Sequence, residues 1–276
     1  LGDVDSTCQI ERMAVMAFRR ATVEEDRALV MRVCGHEKEG KTHFGLTAPD
    51  PINVHNIDHG LAGVVGKFVK EGKIINVAEY EMPDRIGRPD KEVAVQAGET
   101  WKQFQQDLYE SIRDPKVKSI LLDKETEFWA LLRVARFGKL EQVPPNLYVL
   151  VNAEYTEMTR RLKHCGKNVI YTQKLKKVYT RYKNAKGQDV GEWNGQWEPA
   201  GFGDLGYDVQ ETLMSWKSVV PAENKPAIIK FGIKVLGSTH APQLQGQDLM
   251  EPMNTFPWVA SMLMEGTTPE DWGGTL

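Results

Sequence analysis

The segment Gly35-His36-Glu37-Lys38-Glu39-Gly40-Lys41-Thr42 restricts the fold more than any other. It follows an apolar run, residues 29–34, that has the character of a strand. It precedes residues 42–47, which have the character of a helix ended by Pro49 and Pro51. A G-x4-G-K-T octapeptide between a strand and a helix makes a tight loop whose backbone N–H groups converge on an anion, and the helix N-terminus adds partial positive charge. In such a loop Lys41 reaches the β- and γ-phosphates of a nucleotide, and Thr42 offers a hydroxyl to magnesium. The expected nucleotide contacts are therefore Gly35, His36, Glu37, Lys38, Glu39, Gly40, Lys41, Thr42 and His43. Glu37 and Glu39 are expected to point outward, because an inward carboxylate opposes a triphosphate.

Strand and helix patterns alternate after this loop. Strands are expected over 52–57, 73–78, 118–122 and 168–172, and helices over 61–69, 101–112, 126–137 and 148–164. Residues 81–98 hold charges, two prolines and two glycines and are expected to be a loop. Alternation of this kind predicts an α/β fold with a mainly parallel sheet flanked by helices. Beyond residue 175 short strands are expected at 178–182, 190–197, 207–213 and 228–235, followed by a helix over 256–264. The organisation read from this is a tail or docking arm at 1–20, a core at 21–175, and a β-rich extension of the same domain at 176–276.

Open sheets of this kind place ligands at the C-terminal ends of their strands. Ser119-Ile120-Leu121-Leu122-Asp123 is an apolar strand ending in a carboxylate, and Asp123 is expected to hold magnesium together with Thr42. Hydrolysis also needs a group that orients the attacking water. Glu79 is the first candidate, Asp58 the second and Glu125 the third, each lying at or just after a strand end. Thr172 and Gln173, at the expected end of the fifth strand, are expected to sense the γ-phosphate or to pass its state to a neighbouring surface.

The formal net charge of −3 excludes a wholesale basic surface, so contact with nucleic acid requires a local patch. Lys174, Lys176, Lys177, Arg181 and Lys183, interleaved with Tyr179 and Tyr182, form one that suits single-stranded nucleic acid. Trp193 and Trp197 are expected to pack in a core. Cys8, Cys34 and Cys165 are too far apart and too few for a disulfide framework and are expected to be reduced thiols of a cytoplasmic protein. No apolar run reaches the roughly 18 residues of a membrane span, and no secretory signal is read at the N-terminus.

Taken together these residues resemble the phage-encoded RecA-like NTPases, an AAA-labelled ATP-binding group of tailed phages and prophages. The resemblance spans about residues 17–265. It rests on Phe18-Arg19-Arg20-Ala21, Arg27-Ala28-Leu29-Val30-Met31, Gly40-Lys41-Thr42 and the strand into Asp123. It continues through Asn152-Ala153-Glu154-Tyr155, Asn168-Val169-Ile170-Tyr171-Thr172-Gln173, Gly246 and Thr255-Phe256-Pro257. It implies a RecA-type core, ATP and Mg2+ as ligands, self-assembly into a ring or filament, and work with other phage recombination or replication proteins on single-stranded DNA. An Arg or Lys from a neighbouring subunit could complete such a site, with Arg181 and Lys230 as candidates. The chain departs from the pattern at Glu37 and Glu39, and Asp123 is followed by Lys124 rather than by an acid. Two other readings stay open: a small-molecule phosphotransferase whose lid carries Arg85 and Arg88, and a nucleotide-gated assembly or packaging protein.

Overall fold

A computed structural model describes residues 28–61, 63–139, 143–183, 188–222 and 225–274. The expected N-terminal arm, Cys8 and the matching segment 18–21 lie outside these residues, as does Arg27. The described residues form one nine-stranded sheet whose elements follow the alternation read from the sequence. In chain order they are β1 (Val30–Gly35), α1 (Lys41–Leu46), β2 (Ile52–Asn56), α2 (Val65–Lys70), β3 (Ile75–Glu79), α3 (Asp90–Arg113), β4 (Ser119–Asp123), α4 (Glu125–Phe137) and α5 (Tyr148–Lys163). Then come β5 (Asn168–Lys183), β6 (Asp189–Pro199), α6 (Leu205–Asp208), β7 (Glu211–Ala222), β8 (Lys225–Ser238), β9 (Asp248–Met250) and α7 (Phe256–Leu263).

The sheet order is β3-β2-β4-β5-β1-β7-β8-β9, with β6 paired to β5. From β3 to β7 every neighbouring pair is parallel, while β7–β8, β8–β9 and β5–β6 are antiparallel. Strand residues alternate between two cores, as a period of two requires. Ile120, Leu122, Val169 and Tyr171 face α3, α4 and α5. Leu121, Ile170, Ile52 and Val54 face α1, α2 and α7 through Phe44, Phe68 and Phe256. The stacked rings of Phe104 and Phe128, 4.1 Å apart at their centroids, lie in the first core. Full burial of one such side chain stabilises the fold by about 1.5–3 kcal/mol.

The loop expected at 81–98 is half helix. α3 begins at Asp90, with Pro89 before it and Asp90 and Glu92 in its first turn, where carboxylates favour the helix dipole. Val93 and Ala97 extend the buried stripe of Trp101, Phe104 and Leu108 by one turn at a time. Gly98 falls outside that stripe, with nothing near its missing Cβ, so it does not break the helix.

Two further expectations change. The strand expected from Tyr207 is a short helix, α6, followed by β7, and Tyr207 is exposed. The division expected at residue 175 falls inside β5, and β7 lies in the parallel sheet beside β1, so the C-terminal part is built into the core sheet. The expected terminal helix is present as α7. Among the described residues no helix is long and apolar enough to cross a membrane.

Candidate functional site

The octapeptide joins β1 to α1 at the C-terminal edge of the sheet. Its backbone turns through positive φ at Lys38 (59°) and Gly40 (90°), and only glycine adopts the second without strain. At Gly35 a Cβ would lie 2.3 Å from Ser215 Oγ of β7, so a side chain there would force the strands apart. The Lys41 ammonium is buried inside the loop and donates to the carbonyls of Gly35 at 2.9 Å and His36 at 2.5 Å. Burial, reinforced by the positive charge of Lys124, lowers its pKa. It is thus held at the centre of the loop.

Thr42, at the start of α1, donates to Asp123 Oδ2 at 2.8 Å, and Thr172 of β5 donates to Asp123 Oδ1 at 2.5 Å. Asp123 is 1% exposed. Burial raises its pKa and the two hydroxyl bonds offset part of the rise. The strand order creates this contact. β4 is separated from β1 by β5, so the end of β4 faces the first turn of α1 as it leaves the loop. Among the described residues no group of three or more His, Cys, Asp or Glu could hold a metal alone. The Thr42 hydroxyl and Asp123 carboxylate are hard oxygen donors that suit Mg2+, which commonly takes one or two protein ligands and completes its shell with phosphate and water.

The acids expected to orient water separate sharply. Asp58, two residues past β2, is ion-paired with Lys124, the residue after Asp123, and its charge is felt by Asp123. Glu79, the first choice from sequence, ends the edge strand β3, and among the described residues its half-exposed carboxylate has only His59 at 3.7 Å as an ion-pair partner. Glu125 lies on the opposite face. It is fully buried among Gln173, whose Nε2 donates at 2.7 Å, and the Phe202 N–H at 3.2 Å. Burial pushes its pKa up to about 7. Thr172 therefore faces the loop, whereas Gln173 faces away from it and grips Glu125.

The loop carboxylates do not both point outward. Glu37 is exposed beside Lys38. Glu39 turns inward, and its Oε2 accepts the His36 N–H at 2.6 Å. The rest of His36 is exposed, and its ring meets Trp197 of β6 edge-on at 4.5 Å. Trp193 and Trp197 are 43% and 42% exposed, so the expectation that they fill a core is corrected. They stand on the β5–β6 hairpin with the Lys177 ammonium 4.9 and 5.8 Å from their ring centres, alongside exposed Tyr179, Arg181, Tyr182 and Lys183. Lys174 and Lys176 of the same run are paired with Glu127 and Glu198. A two-stranded ribbon has no second layer to cover its aromatics, and no sequence pattern in this stretch distinguishes that case from a core strand.

On the other side of the loop a cavity of about 570 Å3 runs from Gly40 and His43 past Phe68, Phe231, Asn254 and Trp258. His43 meets Phe68 edge-on at 4.9 Å. Sequence reasoning passed over Ser215, Phe231 and Asn56, and noted Lys124 only as standing where an acid was expected. Of these only Asn56, a polar residue at the position where the alternation of Ile52 and Val54 calls for an apolar one, carried a local signal. Protein-family models give no match to this chain, and neither do curated proteins.

Proposed function

We propose that loop 35–42 binds the phosphates of ATP with Mg2+ and that the protein hydrolyses the nucleotide. The observation that carries this reading is the joint placement of Lys41 at the loop centre and of Thr42 against Asp123. Lys41 exchanges its two carbonyl acceptors for β- and γ-phosphate oxygens, which are stronger partners for an ammonium. Thr42 and Asp123 would hold the magnesium, which would supply charge neutralisation at the phosphates. Asp58 is the acid best placed to orient the attacking water, with Lys124 holding it beside Asp123. The nucleoside lies in the cavity that continues from Gly40.

On this reading the chain is a RecA-like P-loop NTPase of the phage-encoded kind, with a strand order that sets β5 between the loop strand and the Asp123 strand. Its partner is single-stranded DNA, bound on the β5–β6 hairpin by stacking on Trp193, Trp197, Tyr179 and Tyr182 and by the cations beside them. The His36–Trp197 contact links that surface to the phosphate loop. It acts as a homo-oligomer in the host cytoplasm with other recombination, replication or repair proteins. A second reading, ATP as a slow-turnover switch for assembly, draws on Glu39 and Asp58, since one occupies a loop N–H and the other is tied to Lys124.

The test is Mg2+-dependent ATP hydrolysis with and without single-stranded DNA, beside Lys41→Ala. Turnover that requires Lys41 and rises several-fold with DNA supports the first reading. Tight binding with negligible turnover moves the assignment to the switch. Turnover that survives Lys41→Ala contradicts both.

A further inference from the structure

Asn56 closes β2 and stands in register between Glu79 of β3 and Asp123 of β4. It is 0% exposed, and neither its Oδ1 nor its Nδ2 has a hydrogen-bond partner. A buried amide with both ends unpaired is rare and costs folding free energy. Its neighbour His55 shows the ordinary alternative, because His55 is equally buried but bonded through both ring nitrogens to Tyr80 and Ser111.

The alternation along β2 fixes the face on which Asn56 lies. Ile52 and Val54 pack with Phe44 and Leu46 of α1, whereas His55 rings with Tyr80 and Phe104 on the other side. Asn56 therefore lies on the α1 face, as do Leu121 and, two residues on, Asp123. Adjacent strands are about 4.8 Å apart, so the Asn56 amide lies about one strand spacing from the Asp123 carboxylate, near enough for a single water to bridge them. Thr172, Asp123 and Asn56 form a row across β5, β4 and β2, and within it Thr172 and Asp123 are already bonded to each other.

We propose that Asn56 is a positioning residue of the metal site, holding water of the Mg2+ coordination shell beside Asp123. This rests on the reading of loop 35–42 as a magnesium–nucleotide site. Magnesium dehydrates reluctantly and keeps several waters, so a site with two protein ligands needs partners that grip water rather than metal. An amide suits the place. It accepts through Oδ1, donates through Nδ2, and adds no second negative charge beside Asp123 and Asp58.

The test uses the full chain carrying Asn56→Leu or Asn56→Asp. It reads thermal unfolding with and without Mg2+ alone, and the Mg2+ concentration needed for half-maximal ATP binding. Asn56→Leu removes an unpaired amide at nearly constant volume, so the metal-free protein should melt about 2–4 °C higher. Its half-maximal Mg2+ should rise about tenfold or more. Asn56→Asp sets a carboxylate beside Asp123, so the metal-free protein should melt lower and millimolar Mg2+ alone should restore it. Lower melting of Asn56→Leu with unchanged Mg2+ dependence would overturn the proposal, as would an Asn56→Asp deficit that Mg2+ leaves untouched. If the wild type binds no ATP while Mg2+ still rescues Asn56→Asp, the nucleotide reading fails and the metal site stands. If the wild type binds ATP and both variants match it, this inference alone fails.

Discussion

The Thr42 hydroxyl donates to Oδ2 of Asp123 at 2.8 Å, joining the first turn of α1 to the end of β4 across 81 residues of sequence. Burial raises the Asp123 pKa and so opposes its ionisation in the fold, and the hydroxyls of Thr172 and Thr42 offset part of that cost. Asp123→Asn should therefore act in two directions. Mg2+-dependent ATP binding should weaken about 100-fold, as expected for loss of a charged metal ligand. The metal-free protein should gain stability at neutral pH, because a buried charge is removed. Binding titrations and thermal melts of the same preparation read both effects.

Glu39 is an internal competitor for the phosphate loop. Its carboxylate takes the His36 N–H at 2.6 Å, a group that a bound phosphate would otherwise use. Glu39→Ala should tighten ATP binding about tenfold, corresponding to the ~1.4 kcal/mol of one charge-assisted hydrogen bond lost from the free state. Equilibrium titration at fixed Mg2+ checks this, and weaker binding would assign Glu39 a supporting role in the loop instead.

Glu125 carries a pH signature. Burial lifts its pKa to about 7 in the fold, against about 4.5 for an unburied carboxyl. Between those values the native state holds a proton that the unfolded chain has released. The stability contributed by this group is present below about pH 4.5 and is lost as pH rises toward 7, after which it stays flat. Glu125→Gln should remove that slope and stabilise the protein at pH 8 by at most about 3 kcal/mol. Because Glu125 faces Gln173 and not the loop, the variant should still bind ATP. Denaturant unfolding from pH 5 to 8 measures the slope.

Trp197 should report on the loop. Its ring touches His36, so Mg·ATP binding should change tryptophan emission in the wild type and leave Trp197→Phe nearly unchanged. Trp197→Ala should also weaken single-stranded DNA binding by about 1–3 kcal/mol, the value of one stacked base, while Lys177→Ala should lower the salt dependence of that binding.

The legible parts of this molecule were those with local causes. The loop, its strand and helix, and the strand ending in Asp123 each carry their physics within a few residues, and Thr172 could be placed because it stands near the end of the buried stretch of β5, although the strand itself runs on to Lys183. The start of α3 was hidden because Pro89 and Gly98 look like loop residues until Val93 and Ala97 are joined to the stripe beginning at Trp101. Glu79, Asp58 and Glu125 could not be told apart by sequence for a different reason. All three lie at or just after strand ends, and only the order of strands separates them. β3 is the sheet edge, so Glu79 is the farthest of the strand ends, while Glu125 opens a helix on the opposite face. Strand order is set by packing between distant segments, and no short window of sequence contains it.

The most direct test is an equilibrium titration of the full chain with ATP, with and without Mg2+, beside Lys41→Ala. The account predicts saturable binding that strengthens with Mg2+ and is lost in Lys41→Ala while the variant remains folded. No binding by the wild type, or binding indifferent to Lys41, would contradict it.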